Sequence, residues 1–355
     1  MKRIGILTGG GDAPGLNAVI RAVVKRAVGQ LGWTVMGCED SFNGLLDQLR
    51  VRELTLASAS GLIQRGGTIL GTTNHGDPFH FRRGEQAARD RGGELARNVR
   101  ELDLEGLIVV GGEGTQKIAH RLMQDHGVRV VGVPKTIDND LDSTDLTFGF
   151  MSAVACATDA LDRLHTTAEA HDRVMILEVM GRDAGWIALY AGLAGGADGI
   201  AIPEIPYDPD VFCDKIRERG REGKTFTLLA VAEGALPADC EPLDASSAVK
   251  AGGAGVKLAN EIVSRLDAEV RVTVLGHLQR GGSPIAFDRI LATRFGVKAV
   301  DLVEAGRWGE MVCLQGTHVE GIPMTDAIGR PRLIDPDNDL LNVARATGVT
   351  FGDRR

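Results

Sequence analysis

Short runs of Val, Ile and Leu recur along the chain at Ile4–Leu7, Leu107–Val110, Val128–Val133, Val174–Val179, Phe226–Ala232 and Val270–Leu275. These runs are rich in Val, Ile and Leu, as parallel strands buried on both faces require. Between them the spacing becomes helical: Leu16 to Val28 carries an apolar stripe, Glu85 to Arg100 is a charged helix and Ser152 to Leu164 an Ala-rich one. Strands alternating with helices predict βαβ units and an α/β fold. In open parallel sheets ligands bind beyond the carboxyl ends of the strands, so the segments following each run are where chemistry is expected. The stretch Pro237–Gly255 is poor in large apolar residues and reads as a long loop, and Asp353-Arg354-Arg355 as a frayed tail.

Composition narrows the class. The 355 residues suggest two domains at roughly 150 residues each. The net charge is −8, with Arg scattered among Asp and Glu, which argues against a nucleic-acid or membrane partner because neither would find a basic face. An anionic ligand must then meet a local positive site. Cys38, Cys156, Cys213, Cys240 and Cys313 are far apart and show no CxxC spacing, so neither a disulfide framework nor a zinc ribbon is expected, and a reducing cytoplasm fits. Met1-Lys2-Arg3 leads directly into a strand with no signal-like apolar core, and the uncharged stretch Ala184–Ala197 is too short and Gly/Ala-rich to span a bilayer.

Many of the 47 glycines follow apolar runs. The first run leads into Thr8-Gly9-Gly10-Gly11-Asp12-Ala13-Pro14-Gly15-Leu16-Asn17 and then a helix, where bare backbone and a helix N-terminus suit a phosphate. A plain turn, or a dinucleotide site with Glu39-Asp40 on the ribose, are the rival readings, although the third glycine of a dinucleotide fingerprint is misplaced. A second turn, Gly111-Gly112-Glu113-Gly114-Thr115, follows Leu107–Val110. Two such turns favour one phosphate-rich ligand. Glu113 beside phosphates points to an intervening Mg²⁺, or else is simply an acid favoured at a helix start.

Pro134-Lys135-Thr136-Ile137-Asp138-Asn139-Asp140 follows the third run. In an extended segment Thr136, Asp138 and Asp140 face one way, with Lys135 nearby. A base, phosphoryl-oxygen donors and a cation are what phosphoryl transfer to a hydroxyl needs, while Asp-Asn-Asp is also ordinary turn material. Later strand ends carry His171-Asp172-Arg173, Met180-Gly181-Arg182-Asp183, Glu233, Arg271 and Gly276-His277-Leu278-Gln279-Arg280, a natural clamp for a phosphorylated small molecule. Gly223-Lys224-Thr225 is not a Walker A end, because Glu218 replaces its first glycine and a strand follows it.

Together, Thr8–Asn17, Gly111–Thr115, Pro134–Asp140, Met180–Trp186 and Gly276–Gly282 resemble the 6-phosphofructokinase family of bacterial type, over about residues 2 to 330. The resemblance implies two Rossmann-like parallel-sheet domains: 1–148 plus 279–329 for the phosphoryl donor, and 149–278 plus 330–355 for fructose 6-phosphate, with the site in the cleft. It implies a cytoplasmic, Mg²⁺-dependent glycolytic homotetramer that transfers a phosphoryl group from ATP to the 1-hydroxyl of fructose 6-phosphate. By motif, Asp138 would be the base, with Thr136, Asp140 and Arg182 catalytic beside it. Gly11, Phe42, Asn74, Gly112, Glu113, Gly114 and Thr115 would meet the donor, and Glu113 the metal. Fructose 6-phosphate would lie among Thr136, Ile137, Asp138, Met180, Gly181, Arg182, Glu233, His277, Leu278, Gln279 and Arg280, with Arg173 and Arg271 lent by a neighbouring subunit.

The departures bear on donor and control. Relatives using ATP usually have Gly at positions 114 and 135, and those using pyrophosphate Asp and Lys; this chain has Gly114 and Lys135. Asp at 114 would repel the α-phosphate of ATP, whereas Lys135 need not exclude ATP, so ATP is the expected donor and pyrophosphate the alternative. Asn74 stands where many ATP enzymes have Arg. Arg21 and Lys25 match the effector helix, but His165 replaces a common Arg and the basic effector loop is reduced to Lys224, which argues against strong control by ADP or phosphoenolpyruvate. An inactive sugar-phosphate sensor would not need Thr136, Asp138 and Asp140.

Overall fold

The computed structural model describes residues 1–46, 48–82, 87–239 and 253–354. It divides into two compact units, one of Met1–Ile137, Leu141–Met151 and Arg280–Arg330, the other of Asp138–Asp140, Ser152–Gln279 and Pro331–Arg355.

In the first unit the strands are β1 (Arg3–Thr8), β2 (Thr34–Cys38), β3 (Val51–Leu54), β4 (Leu107–Gly111), β5 (Val130–Thr136), β6 (Phe148–Gly149), β11 (Glu310–Gln315) and β12 (His318–Pro323). They form one sheet in the order β12-β11-β5-β4-β1-β2-β3, with β6 paired to β5. Its centre is parallel, and β3 and β12 run antiparallel at the edges. The helices include α1 (Leu16–Leu31), α2 (Gly92–Glu101), α3 (Glu113–His126) and α8 (Ala286–Glu304). α1 and α8 bury their apolar faces with Ile4, Ile6, Ile108, Val110, Val131 and Val133 of the sheet. Gly296 makes this possible: a Cβ there would lie 2.7 Å from both Ala22 Cβ and Val19 O, so glycine sets how closely the two helices approach.

The second unit holds a sheet β10-β7-β9-β8, from β7 (Val174–Val179), β8 (Gly199–Ala201), β9 (Thr227–Ala232) and β10 (Val270–Val274), parallel throughout. Helix α4 (Phe150–His171) leads into it, followed by α5 (Trp186–Ala194), α6 (Pro209–Arg221) and α7 (Ala254–Arg265). Short α9 (Met324–Ala327) belongs to the first unit and α10 (Asp339–Ala346) to the second.

Several expectations change. β10 is an edge strand with Arg271, Thr273 and Val274 exposed, not one buried on both faces. β5 begins at Val130 and continues through Pro134, Lys135 and Thr136, beyond the expected strand end at Val133. α2 begins at Gly92, where Asp90 accepts the Gly92 N–H at 2.9 Å; residues 83–86 of the expected helix lie outside the described residues. α4 runs from Phe150 to His171, longer than 152–164 at both ends. Of the expected loop 237–255, residues 240–252, including Cys240, lie outside the described residues, and Ala254 already starts α7. The chain end is held rather than frayed: Asp353 accepts two bonds from Arg345 at 2.7 and 2.8 Å, and Arg354 pairs with Asp208 at 2.7 Å. Arg355 lies outside the described residues.

Candidate functional site

The two glycine turns end adjacent strands, β1 and β4, and they interlock through one side chain. Thr115 lies where a Cβ on either turn would go, 2.7 Å from that position at Gly9 and 2.4 Å at Gly111. Only glycine lets both backbones close on it. The Gly9 N–H donates to Val110 O at 2.8 Å, the Gly10 N–H to Thr73 O at 3.2 Å, and Thr72 Oγ1 to Gly10 O at 2.6 Å. Gly10 and Gly15 take positive φ of 77° and 112°, and Gly15 ends the turn as α1 begins. Beneath the second turn, fully buried Gln116 donates from Nε2 to Val109 O, Gly111 O and Val133 O at 3.1–3.2 Å, tying the ends of β4 and β5 together. Asn17, also fully buried, binds Arg65 O, Gly66 O and the Ile69 N–H. Gln116, Asn17 and Thr72 were not singled out from the sequence, because a polar residue on a helix or in a loop reads as solvent-facing.

Two cations close on the first turn. Lys135, 3% exposed, donates to Gly11 O. Arg280 donates to Asp12 O at 3.1 Å, and its Nη1 lies 2.8 Å from where a Gly11 Cβ would sit. Gly114 differs from Gly9, Gly10, Gly15 and Gly111. Its φ is ordinary and no atom of the protein lies within 4 Å of an added Cβ. Neither conformation nor packing requires glycine there.

Glu113 begins α3 and is bound by Lys117 Nζ at 2.8 Å and the Gly329 N–H at 3.1 Å. Burial disfavours its ionisation, but those two bonds and the Lys117 charge outweigh it, so the carboxyl stays below its ordinary value. Among the described residues no group of three or more His, Cys, Asp or Glu is arranged to hold a metal. Glu113 offers a carboxylate, which fits a cation whose remaining ligands would be phosphate oxygens and water. Phe42 is 1% exposed among Leu7, Cys38, Leu45 and Leu46, so it belongs to the core and leaves no open ring face for an adenine. Asn74 is exposed. Asp40 pairs with Arg50 at 2.7 Å and Glu39 with Arg52 at 3.0 Å, so the ribose acids of a dinucleotide reading already hold arginines.

The segment after β5 departs from the expected extended geometry. Asn139 takes φ 52°, a left-handed conformation that Asn tolerates, so the alternation that would align Asp140 with Thr136 and Asp138 is broken. Thr136 is buried, and its carbonyl accepts from Thr147 Oγ1 at 2.7 Å. Asp138 and Asp140 are half-buried, and Asp140 O accepts the Arg332 N–H at 2.9 Å. The Ile137 side chain is fully buried, which leaves only its backbone for a ligand.

In the second unit Gly181 takes φ 134° at the end of β7, with Arg182 exposed beyond it. A Cβ on Gly234 would lie 1.9 Å from Arg182 O, so the turns carrying Arg182 and half-buried Glu233 are packed backbone to backbone. Gln279, 1% exposed, accepts the Met180 N–H at 3.3 Å and donates to Gly276 O at 2.9 Å; its amide is used within the fold, which corrects its place in a substrate list. His277 is exposed, as is Leu278 at 69%. Arg173 and Arg271 meet on one carboxylate, Glu269, at 2.8 and 2.5 Å.

Comparison with known proteins agrees on the family. The family described as phosphofructokinase matches residues 3–303. An ATP-dependent 6-phosphofructokinase of Chloroflexus aurantiacus is 51% identical over 99% of this chain and 98% of that one. A pyrophosphate–fructose 6-phosphate 1-phosphotransferase of Streptomyces coelicolor is 48% identical over 99% of this chain and 100% of that one. The crystal structure of Pichia pastoris phosphofructokinase in the T-state superposes with a TM-score of 0.78 at 34% identity, covering 92% of this chain but 37% of that one, so the chain spans well under half the length of that larger protein. With full-length identity near one half and the glycine turns seated at the ends of adjacent parallel strands, this chain belongs to the phosphofructokinase family.

Proposed function

We propose that the chain transfers the terminal phosphoryl group of ATP to the 1-hydroxyl of fructose 6-phosphate, giving fructose 1,6-bisphosphate in glycolysis. The observation that carries the choice of donor is Gly114: open space where its Cβ would be, and no structural demand for glycine, leave a ligand as the reason for it.

Residues 1–148 plus 279–329 form the donor domain in this reading, and 149–278 plus 330–355 the sugar-phosphate domain. Asp138 takes the proton from the 1-hydroxyl as its oxygen attacks, Thr136 donates to the moving phosphoryl oxygens, Arg182 offsets their charge, and Asp140 would assist the metal–phosphate assembly. Gly11, Gly112, Gly114 and Thr115 line the donor phosphates, with Asn74 in a solvent-facing place near them. Glu113, once it releases Lys117, would hold Mg²⁺. That ion neutralises phosphate charge. Met180, Gly181, Arg182, Glu233, His277, Leu278 and Arg280 receive the sugar phosphate. Arg173 and Arg271 serve a neighbouring copy's site in a homotetramer, a role supported by the place of Arg271 on the edge strand β10 and by the carboxylate of Glu269 that Arg173 shares with it. The cytoplasm is the fitting compartment; among the described residues no helix is long and apolar enough to cross a membrane.

Pyrophosphate as donor is the second reading, favoured by one observation: Lys135 lies buried against the first glycine turn and places a charge at its backbone. Fructose 1,6-bisphosphate formation with ATP and pyrophosphate side by side, at equal concentration with Mg²⁺, tests both. Turnover with ATP alone supports the proposal, and turnover with pyrophosphate alone overturns it. Asp138→Ala is expected to lower kcat by at least about 10²-fold with substrate binding largely kept; normal turnover in that variant removes Asp138 from its role.

A further inference from the structure

Glu269 occupies the position just before β10 and was not among the expected functional residues. Its Oε1 accepts from Arg173 Nη2 at 2.8 Å and from Arg271 Nη2 at 2.5 Å. One oxygen thus fixes two guanidiniums that start from different strands, Arg173 immediately before β7 and Arg271 within β10. The backbone prepares the arrangement: the Val174 N–H donates to Glu269 O at 3.0 Å, and Arg271 pairs with Met175 in the β7–β10 ladder. A further bond from Arg271 Nη1 to Val270 O at 3.1 Å turns its fork along the strand edge.

We propose that Glu269 is a positioning residue that holds Arg173 and Arg271 together as one phosphate-gripping pair for fructose 6-phosphate. The inference rests on the proposed role of those two arginines. Two guanidiniums side by side repel, and each long side chain loses rotamer freedom when it is ordered. A carboxylate between them offsets the repulsion and orders both forks before ligand arrives, so less entropy is lost on binding. The cluster still carries a net positive charge of one, and the Arg271 side chain, 56% exposed, presents it to solvent, so capacity remains for an anion. Glu269 and Arg271 are both substantially exposed, and ion pairs so placed contribute little to stability; the geometry is better explained by what it presents than by what it holds up.

The test is steady-state kinetics of the full chain with Glu269→Ala, Glu269→Asp, Arg173→Ala, Arg271→Ala and the combination of Glu269→Ala with both arginine substitutions. The expected result is a rise of about tenfold in KM for fructose 6-phosphate in Glu269→Ala, with KM for the donor unmoved, partial recovery in Glu269→Asp, and no added effect of Glu269→Ala once both arginines are gone. An unchanged or lower KM for fructose 6-phosphate in Glu269→Ala, while the arginine variants raise it, overturns the positioning role alone. The same rise in the arginine-free background overturns it as well, since the effect would then not pass through the arginines. Arginine variants that leave KM unchanged overturn the parent reading of the pair and this inference with it. Thermal unfolding of each variant separates loss of fold from loss of position.

Discussion

Gly114 carries an argument that Gly9, Gly10, Gly15 and Gly111 cannot. Gly9 and Gly111 are bounded by Thr115, and Gly10 and Gly15 by their positive φ, so each has a structural reason to be glycine. At Gly114 a side chain would meet nothing, and an acid in the first turn of α3 would even favour the helix dipole by about 0.3–1 kcal/mol. Gly114→Asp is therefore expected to leave Tm unchanged or slightly raised while turnover with ATP falls at least tenfold and turnover with pyrophosphate does not. Parallel differential scanning fluorimetry and donor-specific assays check this, and a large loss of Tm would show that the fold itself needs the glycine. How much of this was legible from the chain depends on the range of the interaction. The glycine turns and Thr136, Asp138 and Asp140 are contiguous motifs and can be read as such. Glu269 between Arg173 and Arg271, and Gln116 across β4 and β5, join residues separated in sequence and become visible only when the strands are laid side by side.

The elements were read most accurately where burial is two-sided. β1, β4 and β7 are buried along almost their whole length and sit inside their sheets, although β7 carries Glu178. β10, Val270-Arg271-Val272-Thr273-Val274, alternates apolar with polar residues and lies at an edge, the pattern of a strand with one face uncovered. β5 was cut short because Pro134 and Lys135 resemble a strand end, although the sheet buries both. The N-terminus of α7 shows a further element-scale device. Glu178, 5% exposed on β7, accepts the Gly255 N–H at 2.7 Å, and a Cβ on Gly253 would lie 2.3 Å from its Oε2. Burial pushes its carboxyl up, the Gly255 bond pulls it part of the way back, and the charge of Glu233 adds to the push. A folded-state pKa above the unfolded one means the stability this group contributes is full below the ordinary carboxylate value and is lost as pH rises through the raised one. Glu178→Gln escapes that loss. Its Tm should match that of the parent near about pH 4 and exceed it at about pH 7, measured by calorimetry across that range. A variant less stable than its parent at neutral pH would show that the charged cap outweighs its burial.

At the scale of the whole molecule both units are assembled from separated stretches of chain. The first requires Arg280–Arg330, and the second requires Pro331–Arg355. α1, near the beginning, packs its buried face with α8, near the end. A chain ending at Gln279 is expected to lose the cooperative unfolding transition of the first unit and to be digested rapidly in limited proteolysis; a protease-resistant fragment spanning β1 to β5 would contradict this. The last residues are likewise held in place, with Thr350 bridged to Gly199 beside β8 and Arg354 paired with Asp208. During synthesis this connectivity imposes a delay. The stretch through α8 must leave the ribosome before the first unit can close, so the emerging β1, α1 and β4 present the apolar faces that α8 later covers. The cell must shelter a long nascent segment for the time needed to translate the remainder, and substitutions that slow the docking of α8 should lower soluble yield more than they lower the stability of the finished protein.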